Sequence, residues 1–470
     1  MPPVARKTKI IATLGPASAS AEVIGAMVVA GLDVARLNFS HGDHESHRRM
    51  IGLVREASRI QGRVVAVLQD IQGPRIRVGT FPDGAVELVQ GAEVRLMAGE
   101  GQGDPANVFV QHLDSIHLRP GDRVLCADGM VVLTVRDVDA TGAVAVVHTG
   151  GRLANHKGVA LPGVAVGLPA VTPKDEADLA FGREAGVDMV AASFVTSGAD
   201  ILRVRAVAGD VPVIAKIERA EAYANLSDIL DEADGAMVAR GDLGVELGFE
   251  PLPRVQKEII ARTHDAGGIS ITATEMLESM TTSPRPTRAE VTDVANAVLD
   301  GSDAVMLSAE TAIGTYPVRT IEVMARICTE AERTPGYPAR VTAGFLPDDL
   351  PFPTAIAQAA ADTANTLRLG TVVAFTESGN TARLVSRYRP NSRIVAFTPS
   401  EATLHQLAAV WGVTPLLFPR YASTDEMIAQ AERVLLERGL VAPGEWVAMI
   451  AGIPPNQQAS TNLLKLHVVG

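Results

Sequence analysis

Lys216-Ile217-Glu218 and Arg240-Gly241-Asp242 place acids and cations in a spacing that suits metal-assisted chemistry on a phosphate. Residues two apart in an extended segment share a face, so Lys216 and Glu218 point the same way. Glu218 and Asp242 together suit Mg2+, which keeps several waters and takes few protein ligands. The competing reading for either acid is a salt bridge to Lys216 or Arg240. A lysine beside such a pair can neutralise a phosphoryl group in transfer or a developing enolate. Arg36, Arg75 and Arg77 add fixed positive charge for phosphate or carboxylate. The chain has no nucleophile-elbow serine, no Cys/His zinc spacing and no glycine-rich Walker loop. The residues imply a metal-dependent enzyme acting on a small anionic, phosphorylated substrate.

Composition narrows the class further. The 470 residues, 47% hydrophobic and 20% charged, describe a globular chain of about three domains, at ~100–200 residues each. A net charge of −12 and 4% aromatic residues argue against a nucleic-acid partner. No apolar run is long enough to span a bilayer, so no membrane partner is expected. Two cysteines, Cys126 and Cys328, build no disulfide framework, and a cytoplasmic location is the expectation.

These side chains need a scaffold. Eight short apolar runs read as buried parallel strands: Lys9–Leu14, Asp33–Phe39, Val64–Leu68, Asp188–Phe194, Val211–Ile217, Ala236–Ala239, Ile269–Thr274 and Asp303–Leu307. Six intervening segments read as helices: Ala21–Ala30, His44–Ile60, Lys174–Glu184, Ala220–Glu232, Arg254–Asp265 and Thr287–Leu299, the last with a Thr287/Glu290 capping box. The alternation predicts an α/β fold, a (β/α)8 barrel over residues 1–72 and 168–338, with a doubly wound open sheet as the competing plan. Residues 73–167, with alternating strands and turns such as Asp128-Gly129, predict an inserted small β-barrel domain acting as a lid. A Pro/Gly-rich connection, Thr334–Pro353, leads to a separate α/β domain over residues 350–470. Active sites of such barrels lie at the C-terminal strand ends. Those ends carry Arg36, Asp70, Ser193, Lys216, Glu218, Asp242, Thr274 and Glu310, whereas the N-terminal ends are mostly Gly, Asp and Ala.

Several strings closely resemble pyruvate kinase. They include Thr8-Lys9-Ile10 through Gly15-Pro16-Ala17-Ser18, Ala35–Gly42, Met237–Glu246, Thr274–Met280, Pro284–Glu290 and Asp293–Thr311. The resemblance covers essentially the whole chain. It implies Mg2+- (or Mn2+-) dependent transfer of the phosphoryl group of phosphoenolpyruvate to ADP, giving ATP and pyruvate, the last step of glycolysis. The alternative of another class is a Mg2+-dependent phosphoenolpyruvate or keto-acid lyase or mutase on the same barrel. By resemblance, Lys216, Arg36 and Thr274 are catalytic, and Arg36, Lys216, Gly241, Asp242 and Thr274 hold substrate. Glu218 and Asp242 match the divalent-metal ligands, His41, Arg77 and Lys157 match nucleotide contacts, and Asp128 matches an acidic position of the cleft. A hydroxyl such as that of Thr274 is too weak an acid to act alone, so a water relay is expected.

The resemblance also implies an allosteric homotetramer. The loop Thr376, Ser378, Gly379, Asn380 and Thr381 matches the family's effector loop, for a sugar monophosphate or AMP. Glu377 within it is expected to repel a more highly charged ligand. One string departs from the pattern. The family's usual Asp-Thr-Lys-Gly-Pro-Glu-Ile-Arg reads Asp70-Ile71-Gln72-Gly73-Pro74-Arg75-Ile76-Arg77. Asn38, Ser40, Asp70 and Ile71 are then a vestigial or weak K+ site. Arg75 supplies the charge instead, and K+ is expected not to be required.

Overall fold

The computed structural model describes residues 6–337, 351–453 and 460–470. Most of the expected Thr334–Pro353 connection, residues 338–350, lies outside the described residues. The strands in chain order are β1 (Lys9–Thr13), β2 (Val34–Asn38) and β3 (Ala66–Asp70), then β4 (Ala85–Leu88), β5 (Glu93–Ala98), β6 (Asn107–Val110), β7 (Arg123–Cys126), β8 (Val131–Asp139), β9 (Gly142–Thr149), β10 (Gly151–Ala154) and β11 (Val159–Ala160). There follow β12 (Met189–Ala192), β13 (Val213–Ile217), β14 (Gly235–Ala239), β15 (Ile269–Ala273) and β16 (Ala304–Leu307). The chain ends with β17 (Thr371–Phe375), β18 (Arg393–Thr398), β19 (Val413–Leu417), β20 (Trp446–Ala451) and β21 (Leu463–Val468).

Eight of these close a barrel in the order β1-β16-β15-β14-β13-β12-β3-β2. Seven of its strands, all but β2, are buried at every position, as their apolar runs require. The closed barrel, and not the open doubly wound sheet, is the observed plan. Compact packing divides the chain into two units: Met1–Asp70 with Gly182–Val190 and Ile260–Gly470, and Ile71–Phe181 with Ala191–Ile259.

The second unit contains the inserted sheet, ordered β11-β7-β8-β9-β5-β6, and the small β10-β4 ribbon. Its core gathers Val94, Leu96, Val124, Leu133, Val135 and Ala145 from alternating positions. Asp175, fully buried, accepts from Gln72 N, Gly73 N, Thr172 N and Thr172 Oγ1, and so ties together the two chain segments that flank the insertion. The first unit contains the C-terminal sheet, ordered β19-β18-β17-β20-β21, with only β21 antiparallel.

Local differences from the sequence expectations have physical causes. The expected strand Asp188–Phe194 shortens to β12 because Phe194 turns into the left-handed region at φ +56. The expected helix Ala220–Glu232 breaks at Asn225, whose amide donates to Thr196 O at 2.8 Å instead of leaving the backbone helical. Helices Gly198–Ala208 and Pro317–Ala331 are additional to the six expected. The Thr287/Glu290 capping box is present, and Glu290 further accepts from Ser279 N and Oγ.

The N-terminal strand ends carry the aspartates read there from the sequence, and these are engaged. Asp33, Asp188, Asp234 and Asp303 accept from the backbone N–H of Ile10, Val67, Val213 and Ser270, respectively, and each pairs with an arginine. These aspartates occupy donors at the starts of adjacent strands, a structural use of charge.

Candidate active site

In the first unit, β2 and β3 run in parallel register with Asn38 opposite Asp70. Arg36, 9% exposed, donates from Nε to Asp70 Oδ2 at 2.6 Å and from Nη1 to Thr13 Oγ1 at 2.8 Å. The pair fixes the plane of the guanidinium in β2. Asn38 Oδ1 accepts from Ser40 N, and exposed His41 folds back through its N–H to Asn38 O. Thr274 and Glu275 follow β15 with φ of +71 and +54. Two consecutive non-glycine residues in this region are strained, and such strain collects at functional sites. The Thr274 hydroxyl donates to Ala273 O.

In the second unit, Lys216 near the end of β13 lies with Nζ 2.8 Å from Glu218 Oε1 and 2.7 Å from Ser193 Oγ. Glu218 Oε2 accepts from Phe194 N at 2.7 Å. Both alternatives read from the sequence therefore meet in one residue: Glu218 is ion-paired with Lys216 and also shares a cavity with Asp242. Gly241 and Asp242 do not end a strand as expected; they stand in the first turn of the helix Arg240–Leu247. Burial and the nearby Asp242 push the Glu218 carboxyl upward, against the lowering pull of Lys216. Two carboxylates lining one cavity, one of them nearly inaccessible, suit a divalent cation that retains water.

The same cavity is lined by Arg75, Asp128, Arg219 and Glu246. Asp128 and its neighbour Ala127 have φ of +56 and +53, so this hairpin too is strained. Arg77 bridges to Gly158 in antiparallel fashion and donates to His156 O at 2.9 Å. A Cβ at Gly158 would meet the Arg75 guanidinium at 3.4 Å. Arg75 and Arg77 are thereby gathered beside the backbone that carries exposed Lys157. Burial, then repulsion from Arg75, lowers the Arg77 pKa from its ordinary value. The Ile71 carbonyl accepts from Ser193 Oγ at 2.7 Å. Ser193 was legible only as a polar strand end, because nothing local says that it bridges two other segments.

In the C-terminal sheet, the Thr376–Thr381 loop joins β17 to the helix Asn380–Arg387, with Gly379 at φ +85. Ser378 and Asn380 are exposed, while Thr381 Oγ1 is bonded to Thr461 Oγ1 at 2.9 Å. Glu377 pairs with Arg420 at 2.8 Å. An open cavity lined by Phe375, Phe418 and Tyr421 adjoins this loop.

Among the described residues no helix is long and apolar enough to cross a membrane. The pyruvate kinase barrel-domain profile matches residues 5–321, and the pyruvate kinase alpha/beta-domain profile matches residues 354–467. The pyruvate kinase of Geobacillus stearothermophilus is 44% identical over 99% of this chain and 80% of its own length. That of Staphylococcus aureus is 43% identical over 99% of this chain and 81% of its own. A crystal structure of a pyruvate kinase from Cryptosporidium parvum matches with TM-score 0.93 at 35% identity, covering 99% of this chain and 96% of that one. On sequence, on fold and over nearly its full length, the chain belongs to the pyruvate kinase family.

Proposed function

We infer that this chain transfers the phosphoryl group of phosphoenolpyruvate to ADP, releasing ATP and pyruvate. Family membership supports the reaction, and the Lys216–Glu218 pair at 2.8 Å is the observation that carries the mechanism. Arg36, oriented by Asp70, binds the substrate phosphate. The bond from phosphorus to the enol oxygen breaks as an ADP phosphate oxygen bonds to phosphorus. The electron pair left on the enol oxygen makes an enolate, and the Lys216 ammonium neutralises it.

Glu218 and Asp242 would hold Mg2+ or Mn2+, which supplies charge stabilisation to the phosphoryl oxygens. The Gly241 backbone contacts substrate. A proton then reaches the methylene carbon of the enolate through water ordered by Thr274, giving pyruvate. His41, Arg77 and Lys157 take the nucleotide phosphates, with Asp128 in the same cleft. The inserted segment 73–167 serves as the lid over the barrel of residues 1–72 and 168–338. The C-terminal domain, 350–470, binds a phosphorylated effector at Thr376–Thr381 and helps assemble a cytoplasmic homotetramer.

Potassium is not needed. Asp70 is engaged by Arg36, the Ile71 carbonyl by Ser193, and Arg75 brings a permanent cation to the cavity. The deciding experiment is ATP formation from phosphoenolpyruvate and ADP with Mg2+ in a coupled assay. Absence of ATP under these conditions, with the protein folded, would overturn the assignment.

A further inference from the structure

We propose that Ser193 is a positioning residue that aims the Lys216 ammonium at the reacting oxygen. The proposal rests on the reading of Lys216 as the group that meets the enolate. Ser193 stands just beyond β12 and is 2% exposed. Its oxygen accepts from Lys216 Nζ at 2.7 Å, and its proton goes to the Ile71 carbonyl at 2.7 Å. With the proton committed to Ile71, the lone pairs of the hydroxyl are turned toward the ammonium. Glu218 Oε1 holds the same ammonium from a second direction, at 2.8 Å.

Lysine is a flexible stem ending in a point charge with three equivalent donors, so its reach is set by what those donors find. One oxygen would leave Nζ free to swing about a single contact. Two oxygens from two chain segments fix it. The corner that supplies them is itself rigid. Phe194 is held at φ +56 with its N–H on Glu218 Oε2. Gly73, at φ +65, passes so close that a Cβ there would lie 2.7 Å from Ser193 O. The Ser193 backbone is therefore packed closely against the segment after β3, while its hydroxyl lies between the Ile71 carbonyl and the lysine. A purely structural hydroxyl would satisfy the Ile71 carbonyl and affect stability. A positioning hydroxyl affects the step in which charge develops.

The test compares Ser193→Ala, Ser193→Thr and Lys216→Met as full-length enzymes. Readouts are kcat, the KM for phosphoenolpyruvate, the thermal midpoint, and exchange of pyruvate methyl protons with deuterated solvent followed by NMR. Displacement of a catalytic group by about 1 Å costs on the order of 100-fold, so Ser193→Ala is expected to lower kcat by ~10–100-fold. KM is expected to stay within about twofold, proton exchange to fall in parallel with kcat, and Ser193→Thr, which keeps the hydroxyl, to recover most of the loss. If Ser193→Ala does not fold, Ser193→Cys keeps the volume with a much weaker hydrogen-bonding group and is read in the same way. Near-normal kcat in the folded alanine or cysteine variant, while Lys216→Met is inactive, would overturn the role of Ser193 alone. So would a loss confined to the thermal midpoint. Full turnover by Lys216→Met would instead overturn the reading of the lysine, and the proposal with it.

Discussion

Arg36 Nε lies 2.6 Å from Asp70 Oδ2, joining the middle of β2 to the end of the neighbouring barrel strand β3 by a buried ion pair. Removing one partner leaves the other charge buried, which typically costs about 3–5 kcal/mol. Asp70→Ala is therefore expected to destabilise the protein by that order in urea unfolding. It should also release the guanidinium and raise the KM for phosphoenolpyruvate by ~10-fold, equivalent to about 1.4 kcal/mol. An unchanged KM would show that Arg36 does not need this partner.

Lys216→Met should leave Mn2+ binding, read by electron paramagnetic resonance, close to normal while lowering kcat by ~100–1,000-fold. The loss falls on the charge that develops at the enol oxygen, not on ground-state binding. Turnover within a few-fold of the unmutated enzyme would rule this role out.

Turnover should be nearly full in a buffer free of potassium, sodium and ammonium, with a bulky organic cation holding the ionic strength. At an effective dielectric of ~20, a monovalent ion about 4–6 Å from the Arg75 guanidinium is repelled by ~3–4 kcal/mol. Arg75→Glu changes the local charge by two and should create a potassium requirement. Many-fold stimulation of the unmutated enzyme by potassium would refute the idea.

At the start of β16, Arg389 from the C-terminal domain lies 2.8 Å from Asp303 and donates to His264 Nε2. Burial pushes Asp303 upward, but Arg389 and His264 outweigh it and hold the carboxyl well below the ordinary range. Burial, then Arg389, lowers the His264 pKa from its ordinary 6.5 despite Asp303. The unfolded histidine thus binds a proton that the folded one refuses. Its contribution to stability is present above about pH 6.5 and is lost as pH falls toward the lowered folded value. Unfolding free energy measured in urea should decline over that window, and His264→Gln should flatten the decline. Arg389→Met should cost about 3–5 kcal/mol by leaving Asp303 without its main cation.

A sugar monophosphate or AMP should raise the apparent affinity for phosphoenolpyruvate, and Ser378→Asp should abolish that response. The exposed Ser378 stands before a helix start whose N–H groups favour an anion, and an added carboxylate there opposes phosphate. Because Glu377 is neutralised by Arg420, Arg420→Ala should weaken binding by restoring the acid's repulsion. An unchanged response to every tested phosphate in Ser378→Asp would relocate the effector site.

Much of the barrel was legible in the sequence because its period is local. Short apolar runs of Val, Ile and Ala, separated by amphipathic helices, admit few arrangements, and the polar residues at their C-terminal ends follow from chain direction. Thr287 and Glu290 specify their own helix start for the same reason. Long-range partnerships were not legible. Asp303 and Arg389 are 86 residues apart, and nothing near either names the other. Each aspartate at an N-terminal strand end caps a neighbouring strand, a contact that no local pattern announces. The break at Asn225 and the left-handed turn at Phe194 were likewise hidden, since each answers to an atom distant in sequence: Thr196 O and Glu218 Oε2. Residue types and spacing determined which acids, cations and hydroxyls were available. Only the packed chain decided that Ser193 would hold Lys216, because a hydrogen bond depends on position and direction, and those are set when distant segments meet.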